Sequence, residues 1–178
     1  MSDLKVPALT WYPHCHAAAQ RLTQEEWLAK KSVTVTVNAA PAEVWAVLSD
    51  LGHYSDWHPY IHKATGELQA GSEVAFTEAL QRGRTSTYPL RVEVAQPEAE
   101  LRLRPVRSTL CIETRFTLSP IDSGTHTKVV YSNIFRGLWV PLFWLGGLWI
   151  PGPSRARILM RKVSQALKQR VEHGPGTT

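Results

Sequence analysis

The chain has 178 residues, enough for one domain with its own hydrophobic core. Its two cysteines, Cys15 and Cys111, exclude a disulfide framework and make a reducing cytoplasm the default location. A net charge of +5 suits acidic partners such as an anionic membrane surface or an acidic carrier protein. The basic residues are dispersed and carry no binding motif, which argues against nucleic acid.

The opening Met-Ser-Asp-Leu-Lys places no basic region ahead of an apolar one, so no signal peptide is expected. Thr23-Gln24-Glu25-Glu26 fits a capping box and predicts a short helix through Trp27 and Leu28 to about Lys30. Residues 1–30 therefore read as an extension, 31–173 as the domain and 174–178 as a flexible tail. Alternating Val33, Val35 and Val37 predict a strand over 32–38. Two short helices follow, over 41–50 and 53–58. Pro41 suits a first helical turn, where its fixed φ helps and its missing donor is not needed. Val44, Val47 and Leu48 then fall on one helical face.

Antiparallel strands are expected over 61–68, 72–81, 86–95, 99–104, 108–119 and 125–136, with Asp122-Ser123-Gly124 turning between the last two. Their alternation makes one face apolar: Val74, Phe76 and Leu80; Leu90, Val92 and Val94; Leu101 and Leu103; Leu110, Ile112, Phe116 and Leu118. The last strand is ambiguous, because Val129, Tyr131, Asn133 and Phe135 share one face while Val130, Ser132 and Ile134 share the other. A final helix over 154–172 carries a stripe of Leu159, Met160, Val163, Ala166, Leu167 and Val171, and it is the one long helix available to cover the sheet.

The segment Val44-Trp45, Val47-Leu48-Ser49-Asp50-Leu51, Tyr54 and Trp57-His58-Pro59, preceded by Val37-Asn38-Ala39, resembles a signature of the START-like (SRPBCC) ligand-binding superfamily. That superfamily includes the polyketide cyclase/dehydrase group and the Bet v 1-like proteins. Phe116-Thr117-Leu118-Ser119-Pro120, Phe135-Arg136-Gly137-Leu138 and Ala166-Leu167-Lys168-Gln169-Arg170 extend the likeness over about 32–172. The main departure is His58, where the family commonly has Asn. The resemblance implies an α+β helix-grip fold: a curved antiparallel sheet of six or seven strands around the long C-terminal helix, with two short helices after the first strand. It also implies a ligand cavity between sheet and helix and favours the Tyr131 and Asn133 face of the last strand as the inner one. It implies no particular reaction, because sites are grafted onto folds.

The inward phases, the helix stripe and the aromatic turn together nominate a ligand-binding set of Trp57, Phe76, Tyr88, Val92, Ile112, Thr114, Asn133 and Met160, with Trp57 and His58 at the rim. Three residues are candidates for proton transfer. Glu78 is in phase with Phe76, and reads either as a buried acid or as a solvated rim residue. Tyr131 either bonds a ligand carbonyl together with Asn133 or satisfies its neighbours. His58 is either a proton shuttle near neutral pH or an ordinary turn histidine. Thr114 replaces a histidine found in many relatives, which weakens that position for proton transfer. His14-Cys15-His16 lacks a second pair, so no metal site is read, and no motif implies a cofactor.

The run between Arg136 and Arg155 is uncharged and rich in aromatics, but its prolines and glycines rule out a membrane-spanning helix. Leu138, Trp139, Phe143, Trp144 and Trp149 are read as a gate over the cavity, a peripheral membrane contact or a homodimer patch. Three functions follow. The chain binds, or binds and carries, an apolar small molecule such as a lipid, polyketide or isoprenoid; or it is a cyclase/dehydratase of a polyketide-like substrate; or it is a membrane- or protein-interaction module acting through residues 138–150.

Overall fold

The computed structural model describes residues 29–79, 85–106, 111–136 and 153–174. The extension up to residue 28, its capping box and His14-Cys15-His16 lie outside these residues, as do Leu80, Leu110 and the aromatic run 138–150. Seven strands form one sheet: β1 (Ala29–Val37), β2 (Ile61–Gly66), β3 (Glu73–Ala79), β4 (Thr85–Gln96), β5 (Glu100–Pro105), β6 (Cys111–Ile121) and β7 (His126–Arg136). Their order is β1-β7-β6-β5-β4-β3-β2 and every neighbouring pair is antiparallel. Consecutive strands pair directly through hairpins, except that the first strand closes against the last. Helices α1 (Pro41–Ser49) and α2 (Tyr54–Trp57) span the gap from β1 at one edge to β2 at the other. Helix α3 (Pro153–His173) packs along β1, completing a helix-grip fold.

Local chemistry explains the elements. Pro41 opens α1, and the Glu43 carboxylate accepts the Ala40 backbone N–H at 2.8 Å, standing in for a side-chain cap that Ala40 cannot supply. Val44 and Leu48, one turn apart, are the buried face of α1. At the β6–β7 turn, Asp122, Ser123 and Gly124 all have positive φ, and the Thr125 hydroxyl donates to the Asp122 carbonyl at 2.8 Å. Gly66 ends β2 at φ 112°, where a Cβ would sit 2.7 Å from the Glu73 carbonyl oxygen.

Three expectations are corrected. Strand β1 begins at Ala29, so no helix continues to Lys30; pairing with β7 runs without a break from Ala29↔Phe135 to Val37↔Thr127 and overrides the local helix signal. Val94 does not face the core with Leu90 and Val92. The β4–β5 register shifts between Val92 and Val94, a bulge that turns Val94 opposite Arg102 and brings Ala95 opposite Leu101 on the inner face. Leu159 is 38% exposed, because it lies roughly a quarter-turn from the centre of the buried Met160, Val163 and Leu167 stripe.

Three polar contacts fix α3 and the sheet closure. Lys168 Nζ donates to the Thr36 carbonyl at 2.8 Å, and Glu172 Oε1 accepts the Asn38 N–H at 2.7 Å. The buried Thr127 hydroxyl donates to the Ala39 carbonyl at 2.7 Å. Inside, Val37, Val44, Leu48, Val74, Val92, Leu101, Val129 and Leu167 belong to one continuous core cluster.

The outer face of the sheet holds an ion-pair network that strand alternation produces without an apolar signal. Glu113 is 1% exposed, with Arg115 Nη2 at 2.7 Å, Arg104 Nη2 at 3.4 Å and Arg102 Nε at 3.7 Å. Glu100 also bonds Arg102, at 2.6 Å, and Glu93 lies 3.7 Å from Arg104. Removing the central carboxylate leaves three guanidinium groups crowded together and incompletely paired. Glu113→Ala should therefore cost about 3–5 kcal/mol, a drop in melting temperature on the order of 10 °C for a domain of this size. Glu73→Gln, at the exposed pair with Arg91, should cost less than about 1 kcal/mol. Thermal denaturation of both variants checks the contrast.

Candidate functional site

The inner face is sealed at one end and accessible at the other. At the α1 end Val129 is 0% exposed and Leu118 is 5% exposed. Further along, burial relaxes: Tyr131 and Asn133 on β7, Thr114 and Ile112 on β6 beyond the buried Phe116, and Tyr88 on β4 are each half-buried. Cross-strand pairing sets these side chains side by side. Thr114 lies opposite Asn133 and Phe116 opposite Tyr131 on β6–β7, and Phe76 lies opposite Tyr88 on β3–β4.

The polar groups at this end bond to one another. The Tyr88 hydroxyl donates to Glu78 Oε1 through a short hydrogen bond. The Thr114 hydroxyl donates to Asn133 Oδ1 at 3.2 Å, which leaves the Asn133 amide N–H groups to bond the Tyr131 hydroxyl. Tyr131 stacks on Phe116 with ring centroids 4.5 Å apart. Burial pushes the Tyr131 phenol up to about 12; the Asn133 hydrogen bond pulls it back, and the charges of Glu78 and Tyr60 raise it further. Tyr88 is also pushed well up, first by burial and then by its bond to Glu78. Both phenols are therefore neutral hydrogen-bonding groups at physiological pH.

An aromatic cluster borders this region. Tyr54 is buried, donates to the Leu48 carbonyl at 2.8 Å and lies 5.5 Å from the Phe76 ring. Trp57 is 8% exposed, so it belongs to the core and not to the rim, packed 5.1 Å from Tyr54. Among the described residues, the Trp57 indole N–H, the Tyr60 hydroxyl and the Ser164 hydroxyl of α3 are buried without a hydrogen-bond partner.

His58 has a defined local task. Its Nδ1 accepts the backbone N–H groups of Ile61 at 3.0 Å and Tyr60 at 3.3 Å, which puts the neutral ring's proton on Nε2. Burial lowers its pKa to about 4. This arrangement suits a turn-forming acceptor and an Nε2–H donor better than a proton shuttle near neutral pH.

Residues 29–172 match the family model described as polyketide cyclase/dehydrase and lipid transport. The chain belongs to this family. Among solved structures, a START superfamily protein from Mycobacterium smegmatis matches with a TM-score of 0.60 and 20% identity, over 80% of this chain and 97% of that one. The Zhui aromatase/cyclase from Streptomyces sp. R1128 matches with a TM-score of 0.56 and 21% identity, over 81% and 93% of the two chains. A protein from Rhodobacter sphaeroides gives a TM-score of 0.64 at 16% identity, over 80% and 91%. These likenesses establish the shared fold. No curated protein matches the sequence.

The signature that this segment resembles has Asn where this chain has His58, and the turn geometry suits either residue. An Asn side-chain oxygen can accept the same turn N–H groups that His58 Nδ1 accepts here. Of the other ligand-binding candidates, Phe76, Val92 and Met160 are buried on the inner side, Val92 in the sealed part of the core. Lys31 was missed. Starting the strand at 32 left it out, whereas the observed strand puts it in phase with Val33 and directly opposite Asn133. Among the described residues no group of His, Cys, Asp or Glu has the arrangement of a metal site.

The His58 geometry predicts a pH effect. The unfolded imidazole titrates near 6.5 and the folded one near 4, so between these values the unfolded chain binds a proton that the folded chain refuses. The stability contributed here is complete above pH 6.5 and is lost progressively as the pH falls toward 4. His58→Asn should keep the melting temperature at pH 7.5 within a few degrees and flatten its decline between pH 6.5 and 4. Melting curves across that range check it; an unchanged slope would show that His58 does not titrate in this way.

Proposed function

We propose that the protein binds an apolar small molecule carrying at least one oxygen function, such as a lipid, polyketide or isoprenoid, in the accessible half of the inner face. One observation carries this reading: the burial gradient along β6 and β7, which leaves Ile112, Thr114, Tyr131 and Asn133 half-buried beside a fully packed core. A fold needing only stability would continue the apolar packing to the strand ends. Here the packing gives way to paired hydroxyl, amide and carboxylate groups. The unpartnered Trp57 and Tyr60 donors add unused hydrogen-bonding capacity close by. Family membership supports the same class of ligand.

A second reading rests on the Tyr88–Glu78 bond. A carboxylate held by a half-buried phenol, with Tyr131 as a second phenol on the inner face, is a set for proton transfer on a polyketide-like chain, and one neighbouring fold is an aromatase/cyclase. Positioning in a dry site would then supply much of the rate. The candidate gate residues Leu138, Trp139, Phe143, Trp144 and Trp149 lie outside the described residues and carry no part of either reading.

Filling the accessible end tests the binding reading. Thr114→Trp should weaken binding of an apolar probe, 2-naphthol, by more than about tenfold, since the new ring occupies the area the probe would bury. Thr34→Trp, on the exposed side of β1, should leave it unchanged. Fluorescence titration of 2-naphthol distinguishes them, and equal binding by both variants would place the probe elsewhere. For the enzyme reading, Glu78→Gln and Tyr131→Phe should each lower turnover by about 10²–10⁴-fold while retaining ligand; changes below about threefold in both leave the carrier reading standing.

A further inference from the structure

The outward face of α3 presents two large apolar side chains to solvent, Ile158 at 51% and Leu159 at 38% exposure. Among the described residues these are the exposed large hydrophobics. They are adjacent in sequence and sit near the start of a 21-residue helix. Ile158 is nearly opposite the buried Met160, Val163 and Leu167 stripe, so no rotation of the helix would bury both sets. Exposed cations surround it: Arg157 precedes it, and Arg161 and Lys162 lie one turn further along the same side. No acidic side chain lies on α3 before Glu172.

We propose that this patch docks on an anionic lipid bilayer, with Ile158 and Leu159 entering the boundary between headgroups and acyl chains while Arg157, Arg161 and Lys162 meet lipid phosphates. Charge selects this occupant. A second copy would bring cations against cations, whereas an anionic membrane offers negative charge and an apolar layer together. The net charge of +5 acts in the same direction.

Position links the patch to the ligand site. The contacts of Lys168 with Thr36 and of Glu172 with Asn38 show that α3 runs alongside β1 in the same direction. Going back from Lys168 to Met160 covers about 12 Å of helix, and the same distance along β1 from Thr36 is roughly four residues at about 3.3 Å each. That reaches Ser32, one residue from Lys31 and level with the Asn133 end of the inner face. The helix segment whose inner side carries Met160 would thus have its outer side on the membrane, next to the accessible end of the site. No described helix is long and apolar enough to cross the membrane, so the contact is peripheral.

The test is co-sedimentation of the full chain with phosphatidylcholine vesicles, with and without phosphatidylglycerol as the anionic lipid. The expected result is binding to the anionic vesicles only, weakened by salt. Ile158→Ser with Leu159→Ser should reduce it at least about tenfold by removing buried apolar area, as should Arg161→Glu with Lys162→Glu by reversing charge. All four side chains are exposed, so both variants should melt like the parent, and melting curves verify this. Absence of binding to anionic vesicles overturns the proposal. So does binding that neither variant changes. A shift from dimer to monomer in the Ile158→Ser, Leu159→Ser variant with vesicle binding intact would instead assign the patch to contact between copies and likewise overturn it.

Discussion

The structure depends on the pairing of the first strand with the last. Nine residues of β1 lie against β7, from Ala29↔Phe135 to Val37↔Thr127, although nearly the whole domain separates them in sequence. Hairpins set the other strand neighbours, but this closure gives the sheet its second edge, the platform for α3. The polar contacts at the closed end, Thr127 with Ala39, Lys168 with Thr36 and Glu172 with Asn38, hold strand and helix in a single register. With the β6 pairing that faces Tyr131 and Asn133 inward, this register fixes Lys31 and Val33 beside them. A slip of β7 by one residue would exchange Tyr131 and Asn133 for Ser132 and Ile134 and dismantle the site.

The proposed site lies where close packing ends. Aliphatic side chains from β1, β4, β5, β7 and α3 fill the sealed end. At the other end the same faces carry hydroxyl, amide and carboxylate groups bonded in pairs, Tyr88 with Glu78 and Thr114 with Asn133. Such groups keep their hydrogen bonds when half-buried, and they tolerate an apolar molecule beside them better than free charges would. The neutral state of Tyr88 and Tyr131 follows from the same burial. The outer face uses a different solution, in which Glu113 neutralises Arg102 and Arg104, which alternate with the inner leucines of β5, and Arg115 of β6.

The order of elements was legible because each carries a local signal: Pro41 opening a helix, alternating valines in β1, Asp122-Ser123-Gly124 at a turn. The misplaced residues share one physical cause. Period-two reading assumes an unbroken ladder, and the bulge after Val92 reversed Val94. On β7 both faces carry apolar residues, so only pairing with β6 decides the inner one. Lys31 joined the inner face because non-local pairing extended β1 beyond its valines. Trp57 was assigned to a rim by its polar edge, whereas packing against Tyr54 draws the ring into the core. The Tyr88–Glu78 bond is diagonal across two strands and has no signature in either strand alone.

The chain has two methionines, Met1 and Met160, and the second lies on the inner side of α3. Methyl-labelled methionine NMR therefore reports on the inner face through the Met160 signal. With 2-naphthol at saturation, ligand held between sheet and helix should shift or broaden the Met160 methyl resonance. Binding confirmed by fluorescence with an unchanged Met160 signal would contradict the account, because the ligand would then lie outside the grip of the helix.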